Sequence, residues 1–534
     1  MSRGLGDVYK RQIFPCFMKG LSKSEQRWFA IMRIITRCVI YDERMKGKSG
    51  GGYIMSDKIC SSADKVLEVF LENAPMDTSH HRMVKQQNKC GYGLQGVCCR
   101  LCSNGPCRLS PAKPKGVCGA DADTIACRNF LRQVAAGSGC YTHVVENTAR
   151  RLKEMAQELQ AEGKKPKYKD SVAKLAKILQ INCCGNCGPD CHNSCAKTAE
   201  MIADAVLADI RKPYDEKMTL MKNIALPKRY ELWEKLGILP GGAKDEIFNA
   251  VVKTSTNLNS DPMDMLLQCL RLGISTGNYG LILTNLMNDI IMGPPQISMD
   301  PVGFRIIDPE YINIMITGHQ QSMFADLEEK LESEIVQKSA ELVGAKGIRI
   351  VGCTCVGQDY QARSGCYKDV YCGHAGNNYT SEAVLMTGCV DLVVSEFNCT
   401  IPGIEPICEQ LDIKMICLDD VAKKANAQLL PYIAEEKEKI TSQIIADALC
   451  GFKNRKEKLY GTAPAKGEKR VNVMAQHGFD KSITGLSEDT LVAALGGTLQ
   501  PLIDAIVSGK IKGIAAIVGC LSLIHISEPT RHSL

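Results

Sequence analysis

Six cysteines within 29 residues constrain this chain more than any other feature. Cys90, Cys98, Cys99, Cys102, Cys107 and Cys118 stand in CGYGLQGVCCRLCSNGPCRLSPAKPKGVC. Thiolates at CxxC and CxxxxC spacing can close on one soft metal centre, and an iron–sulfur cluster usually takes four of them. Cys99, Cys102, Cys107 and Cys118 make one complete set. Cys90 and Cys98 remain as half a set, which a two-fold symmetric dimer completes from its partner. A disulfide knot or a zinc site is the competing reading. Chain length and the wealth of thiols argue against a small secreted scaffold.

The two ends of the chain read as foreign to it. Asp7–Gln12 can be encoded by GATGTGTATAAGAGACAG, and the reverse complement of that string encodes Leu521–Ile526. One DNA sequence on opposite strands at both ends is like a transposon-type sequencing adapter, so 1–12 and 521–534 are set apart from fold reasoning. Gly50, Gly51 and Gly52 before Met55 fit a translated ribosome-binding site. Translation is therefore expected to start at Met55, with a genuine basic extension as the alternative; the run around Phe29–Ile40 is too short and too charged to span a membrane. The printed chain carries a formal net charge of +6. Residues 1–54 hold 11 Lys/Arg against 4 Asp/Glu and 521–534 one of each, so 53 basic and 54 acidic side chains remain between, a net of −1. The basicity belongs to the ends and points to neither nucleic acid nor an anionic membrane as partner. No signal peptide precedes Met55, and 25 of the 27 cysteines lie in 55–520. Such a load of free thiols indicates a reducing, anaerobic cytoplasm.

Apolar residues at three- and four-residue steps make most of 55–300 helical, as in DKVLEVFLENA, NTARRLKEMAQELQA and SCAKTAEMIADAVLADI. A Pro/Gly break, IMGPPQISMDPVG, follows. Short β-rich runs then alternate with amphipathic helices: YINIMITGH, DLEEKLESEIVQKSAELVG, IRIVGCTC, DLVVSEFNC, IKMICLDD, RVNVMAQ, TLVAALGGTLQPLIDAIVSG and KGIAAIVGC. The expectation is an α/β protein: a helical N-terminal Fe–S domain over 55–300, then doubly wound parallel α/β (Rossmann-like) domains over 301–447 and 448–520, the last incomplete.

His319, Cys355, Cys399 and Cys520 fall at the carboxyl ends of predicted strands, the edge where open α/β sheets bind ligands. Singly, each reads as a buried small hydrophobe or a satisfied histidine. Together they suit a metal cluster between domains.

The order Cys-x7-Cys-Cys-x2-Cys-x4-Cys, then GVCGA, then GH after a strand, resembles the nickel–iron carbon monoxide dehydrogenases. So do GCTCVGQD, FNCTIP and GGTLQPLIDAIVSGKIKGIAAIVGC, and the likeness runs from about Met55 to Cys520. It implies that Cys90 and Cys98 bridge a homodimer through a shared cluster, and that Cys99, Cys102, Cys107 and Cys118 hold a [4Fe–4S] relay cluster. His319, Cys355, Cys399 and Cys520 would hold part of a Ni–Fe–S cluster. The implied reaction is reversible oxidation of CO with water to CO2, two protons and two electrons. Ferredoxin or a similar carrier would take the electrons, and acetyl-CoA synthase is a further partner the family uses. The family also has two cysteines and a lysine beyond Cys520 that are missing here, so the chain as printed is expected to be inactive.

The family has a proton-handling histidine after the Cys118 segment. Ungapped spacing from Ala135–Gly137 puts Tyr141 there, and a two-residue slip puts His143. His143 is preferred as catalytic base because imidazole titrates near neutrality, with Glu146 the only ionisable neighbour on its helix face. Cys183, Cys184, Cys187, Cys191 and Cys195 form a ligand-like array outside the family pattern, a candidate for an extra Fe–S cluster with a buried or zinc-binding alternative. Cys366, Cys372 and His374 sit in an insertion that reads as surface, with a local zinc or cluster site as the alternative. Two other readings compete: a hybrid-cluster protein acting on hydroxylamine-like substrates, and a non-catalytic Fe–S electron carrier.

Overall fold

The computed structural model describes residues 65–86, 89–182, 194–255, 258–363, 370–455 and 473–513. Its first half is built on one 40-residue helix, α1 (Ala122–Ala161). Asp121 starts it by accepting the Thr124 N–H at 2.9 Å, which satisfies one of the orphan donors of the first turn. No proline interrupts it, and at 1.5 Å per residue it runs about 60 Å. Val145, Ala149, Leu152 and Ala156 are fully buried against α2 (Ser194–Ile210) and neighbouring helices. The predicted helix NTARRLKEMAQELQA is thus the second part of a longer element.

α3 (Pro262–Ser275) continues into a π-helical stretch, Thr276–Leu283, and then α4 (Thr284–Ile291). The wider turn carries Gly280 against α1, where a Cβ would lie 2.6 Å from the Tyr141 Cβ. Only glycine lets the two helices approach there, and π-bulges often mark functional sites.

The second half is a six-stranded parallel sheet: β1 (Ile312–Thr317), β2 (Ile348–Cys353), β3 (Tyr371–Gly376), β4 (Leu392–Ser395), β5 (Lys414–Cys417) and β6 (Gln428–Leu429). The spatial order is β3-β2-β1-β4-β5-β6, every neighbouring pair parallel. That is the doubly wound order, with the direction of strand addition reversing between β1 and β4. Every β1 residue is buried, because helices cover both faces of such a sheet. Ile312, Ile314 and Ile316 face one core, and Met315 packs with Val351 and Val393 in the other. Each such side chain contributes about 1.5–3 kcal/mol on leaving water.

The expected α/β class holds, and several boundaries move. The break at 300 falls inside a strand, Ser298–Val302, paired antiparallel with Phe479–Thr484. The break at 447 falls inside α6 (Lys437–Lys453), whose Ile440, Ile444 and Ala448 pack on this same sheet. The described part of RVNVMAQ is a short helix, Val473–Gln476, whose Val473 and Met474 fill the core. Among the described residues of 448–520 there is no second parallel sheet. DLEEKLESEIVQKSAELVG is two helices, Ala325–Leu331 and Glu334–Leu342, and the Gln337 amide bonds the freed Leu331 carbonyl at 2.7 Å. The helix read across 490–509 parts at Gly496 and Gly497. No helix among the described residues is long and apolar enough to cross a membrane.

Buried charge fastens the helical half to the sheet. Arg363, just past α5 (Thr354–Ala362), pairs with Asp289 on α4 at 2.7 Å and donates Nε–H to the Gly293 carbonyl at 2.7 Å. Arg151 on α1 pairs with Asp326 at 2.7 Å. Burial pushes the Asp289 carboxyl up, and Arg363 opposes that shift. Arg363→Met removes the guanidinium and leaves Asp289 buried without it. We expect a loss of about 3–5 kcal/mol in urea unfolding, partly restored by adding Asp289→Asn.

Candidate metal centres

The cysteine-rich loop folds around a small cavity lined by Cys99, Cys102, Cys107 and Cys118. A two-residue antiparallel ladder, Cys98–Cys99 with Cys107–Arg108, sets Cys99 opposite Cys107. The segment 116–120 closes on itself through the Gly116 N–H to the Ala120 carbonyl at 2.8 Å, which returns Cys118 to the ladder. Val117 N–H donates to the Cys107 sulfur at 3.5 Å. The Cys118 thiol is held below its ordinary pKa by the Ala120 N–H, which outweighs the opposing effect of burial, with the Arg128 guanidinium adding to it. Four thiols around one cavity, with donors aimed at sulfur, fit a four-thiolate iron–sulfur cluster.

Cys90 is exposed and Cys98 half-buried beside that cavity. Cys90 begins the turn Gly91–Leu94, and the N–H groups of Gly93 and Tyr92 lower its thiol pKa, as more weakly does the positive Arg108.

The second gathering lies at the carboxyl edge of the sheet, at the reversal of strand order. His319 follows β1, Cys355 follows β2 in the first turn of α5, and Cys399 follows β4. The Cys399 sulfur lies 3.8 Å from His319 Nε2. Cys355 is pushed well above the ordinary thiol range, first by hydrogen bonding with Cys399, then by burial, with His319 opposing. These three converge. Cys353, two residues before Cys355, points into the core with Val351 and Ala375, and burial pushes its thiol up to about 12. The turn at Thr354, φ 57°, separates the two cysteines. Cys520 lies outside the described residues.

Gly318 has φ 141°, and a Cβ there would collide with the Glu396 carboxyl, so glycine is required before His319. Glu396 is fully buried, its oxygens without a hydrogen-bond partner among the described residues. Burial holds its pKa well above the usual carboxylate range, although the backbone N–H groups of Gln320, His319 and Phe397 lie near enough to oppose the shift. His319 Nδ1 is likewise buried without a partner. Two sulfurs, an imidazole with an orphaned nitrogen and a proton-bearing carboxyl suit a metal cluster. No group of three His, Cys, Asp or Glu among the described residues is arranged to hold one metal ion. A cluster's ligands bind different metal atoms and so stand further apart than those of a single ion.

α1 crosses in front of this edge. Tyr141 lies edge-on to His319, ring centres 6.1 Å apart, and His143 packs on Phe397 at 4.8 Å. His143 Nε2 is 2.7 Å from Asp419 Oδ2, and the Gln320 amide donates to the same oxygen at 2.8 Å. Asn147 lies 3.1 Å from His143 Nε2 and donates to Gln320 Oε1 at 2.8 Å. Burial raises the Asp419 pKa, but hydrogen bonds from His143, the Val421 N–H and Gln320 outweigh it and hold the carboxyl below its usual value. Glu146, read as the ionisable neighbour of His143, is engaged elsewhere: Arg150, Arg211 and Lys244 each contact it at 2.8 Å. Burial would raise it, and those cations bring it to about 2.

Asp419, Gln320, Asn147 and Phe397 escaped the sequence reading. Asp419 and Gln320 were reachable, since both follow predicted strands as His319 does. Asn147, one turn after His143, carried no signal of its own. Of the extra array, Cys183, Cys184, Cys187 and Cys191 lie outside the described residues, and Cys195 is buried in the first turn of α2. Cys366 also lies outside them. The insertion was read as surface, yet its described part forms β3: the Cys372 thiol donates to the Ile350 carbonyl at 2.9 Å and is pushed by burial to about 11, while burial pulls His374 to about 4.

In metal-free protein, Cys90 and Cys118 should alkylate well before the buried Cys353. Each unit by which a thiol pKa falls raises its thiolate fraction roughly tenfold. Peptide-resolved alkylation rates check this order, and a fast Cys353 would contradict it.

Comparison with known proteins places these sites in a family context. A family model described as the Prismane/CO dehydrogenase family matches residues 97–526. The carbon monoxide dehydrogenase of Methanocaldococcus jannaschii is 41% identical over 469 residues, covering 87% of this chain and 72% of that protein. That of Methanopyrus kandleri is 41% identical over 470 residues, covering 88% of this chain and 69% of its own. A Ni-free crystal structure of carbon monoxide dehydrogenase from Thermococcus sp. AM4 aligns with a TM-score of 0.75 at 30% identity, over 87% of this chain and 69% of that one.

Proposed function

Because the chain belongs to the Prismane/CO dehydrogenase family, we propose that it oxidises CO with water to CO2, two protons and two electrons, with His319, Cys355, Cys399 and Cys520 holding a Ni–Fe–S cluster. The observation that carries this reading is the meeting of His319, Cys355 and Cys399 at the reversal of strand order, the crevice where doubly wound sheets bind ligands. Such a cluster supplies a Lewis acid toward water and a store for two electrons.

The chain's own part is to hold the donors, exclude water and move a proton. Hydrogen bonding with Cys399, then burial, keeps Cys355 protonated, and burial does the same for Glu396, so loading the site must release the thiol protons. His143 is the base. With the Asp419 carboxylate on Nε2, the ring proton sits there and Nδ1 is left to accept another. Asp419 then stabilises the imidazolium, and Gln320 and Asn147 hold its orientation.

Cys99, Cys102, Cys107 and Cys118 hold a relay [4Fe–4S] cluster in this reading. Cys90 and Cys98 share a second one with their mates in a homodimer; the exposed Tyr92 and Leu94 beside Cys90 are surface for that contact. Lys89, Arg100, Arg108, Lys113 and Lys115 are all exposed around the loop, and no acidic residue occurs between 89 and 120. That rim favours an acidic electron carrier of ferredoxin type.

We expect the reconstituted chain as printed to show iron–sulfur absorbance, and to reduce dye with CO once joined to the remaining segment of its relatives. Hydroxylamine reduction without CO oxidation would overturn this reading in favour of hybrid-cluster chemistry.

In that extended protein His143→Ala should lower kcat about 10²–10⁴-fold with the visible spectrum unchanged. Asp419→Asn should cost roughly 10–100-fold, the usual effect of losing a group that orients a functional imidazole. Steady-state dye reduction measures both, and an unaffected His143→Ala enzyme would move the base elsewhere.

A further inference from the structure

The strand ends bearing the three donors are tied together by buried threonine hydroxyls. Thr317 precedes His319 by two residues, Thr354 directly precedes Cys355, and Thr400 directly follows Cys399. Thr317 Oγ1 lies 3.3 Å from Thr354 Oγ1 and 3.2 Å from Thr400 Oγ1. Thr354 Oγ1 also accepts the Gly318 N–H at 2.8 Å and donates to the Gly318 carbonyl at 2.9 Å. The Val356 N–H donates to that same carbonyl at 2.9 Å. Thr400 Oγ1 also lies 3.4 Å from the Asn398 carbonyl. With its proton turned to the nearer Thr317, Thr317 donates to Thr354 and Thr354 to Gly318. Thr354 then uses its single proton and both lone pairs.

The chain begins where the sheet stops. The last rung between β1 and β2 is Ile316 with Gly352, and the last between β1 and β4 is Thr317 with Ser395. Beyond those rungs the chain after β4 leaves for one face of the sheet while the chains after β1 and β2 leave for the other, and no ladder rung holds the three ends in step. The backbone there is also unfavourable: Thr354 has φ 57°, Asn398 69° and Cys399 47°. A β-branched residue seldom adopts the left-handed region, and it persists there only when its surroundings over-determine it. Hydrogen bonds to both backbone groups of Gly318 supply that determination for Thr354. Asn398 is steadied separately, its Oδ1 accepting the Cys399 N–H at 2.8 Å.

We propose that the Thr400–Thr317–Thr354–Gly318 chain is a positioning device, which sets the spacing of His319, Cys355 and Cys399 in the metal-free protein so that the cluster forms on a prepared donor triangle. The inference rests on the cluster-binding reading above for its purpose, though not for its geometry. None of the three threonines touches a reacting atom in this role. They act through the donors beside them.

Thr354→Val keeps volume and β-branching and removes every hydroxyl bond; Thr354→Ser keeps the hydroxyl. In metal-free protein a short bis-alkylating thiol reagent, read peptide by peptide, reports how often Cys355 and Cys399 meet. The yield of that linked pair should fall severalfold in Thr354→Val and return in Thr354→Ser. After reconstitution of the extended protein, metal affinity at the strand ends should drop roughly 10-fold or more in Thr354→Val while relay-cluster absorbance stays constant. Equal linkage in Thr354→Val and the parent would overturn the proposal, as would a Thr354→Ser protein as defective as the valine variant. If Thr354→Val does not fold by circular dichroism, Thr400→Val, which leaves the Thr317–Thr354–Gly318 links and removes only the contacts to Thr317 and the Asn398 carbonyl, serves the same comparison. Hydroxyl-dependent linkage in a protein whose strand ends take up no nickel or iron would leave this inference standing and defeat the proposed function.

Discussion

A parallel sheet whose strand order reverses must open a crevice at the carboxyl ends of the two strands flanking the reversal, because their connections cross to opposite faces. Here those strands are β1 and β4, and the groups of the candidate site gather at and beside their ends. His319 and Gln320 leave β1, Phe397 and Cys399 leave β4, and Asp419 leaves β5. Cys355 enters from β2 through the left-handed turn at Thr354. α1 closes the crevice from the other side and brings Tyr141 and His143. Two glycines make the approach possible: Gly280 lets the π-helical turn meet Tyr141, and Gly318 leaves room for the Glu396 carboxyl.

The two candidate metal centres meet opposite electrostatic demands. The cysteine loop is near water, and backbone N–H groups and arginines already favour the thiolates of Cys90 and Cys118. At the strand ends, burial and the adjacent sulfur keep Cys355 a thiol and leave Glu396 neutral. An exposed centre can exchange charge with a partner at small desolvation cost. A buried one strengthens every interaction inside it and must release its thiol protons as metal enters. The Arg363–Asp289 and Arg151–Asp326 pairs bind these two environments into one body.

Much of the site was legible because ligand chemistry is local. Close cysteine spacing identified the loop, and a β-rich run ending in GH, CTC or NC placed His319, Cys355 and Cys399 at strand ends. Cys353 and Cys355 stand only two residues apart, and the structure separates them by a turn, one in the crevice and the other in the core. Glu146 failed as a neighbour of His143 because helical spacing specifies a face without saying what packs on it. Three cations from two other segments and its own helix occupy that face, while the partner of His143 comes from β5, 276 residues away. The domain boundaries missed for a similar reason: a helix docks on whichever sheet buries its apolar stripe, so α6 belongs to the sheet before it.

The sequence by itself determined the donor inventory, the helical and parallel-sheet halves, and which strands end in candidate donors, since these follow from residue type, spacing and hydrophobic period. Tertiary structure alone decided which of those ends meet. The order β3-β2-β1-β4-β5-β6 brings β1, β2 and β4 side by side, and only then can Thr317, Thr354 and Thr400 bond one another and Asp419 reach His143. Local propensity carries no information on such contacts. They arise from the packing of segments far apart in the chain, where burial turns ordinary threonines and carboxyls into groups whose geometry and protonation are set by their neighbours.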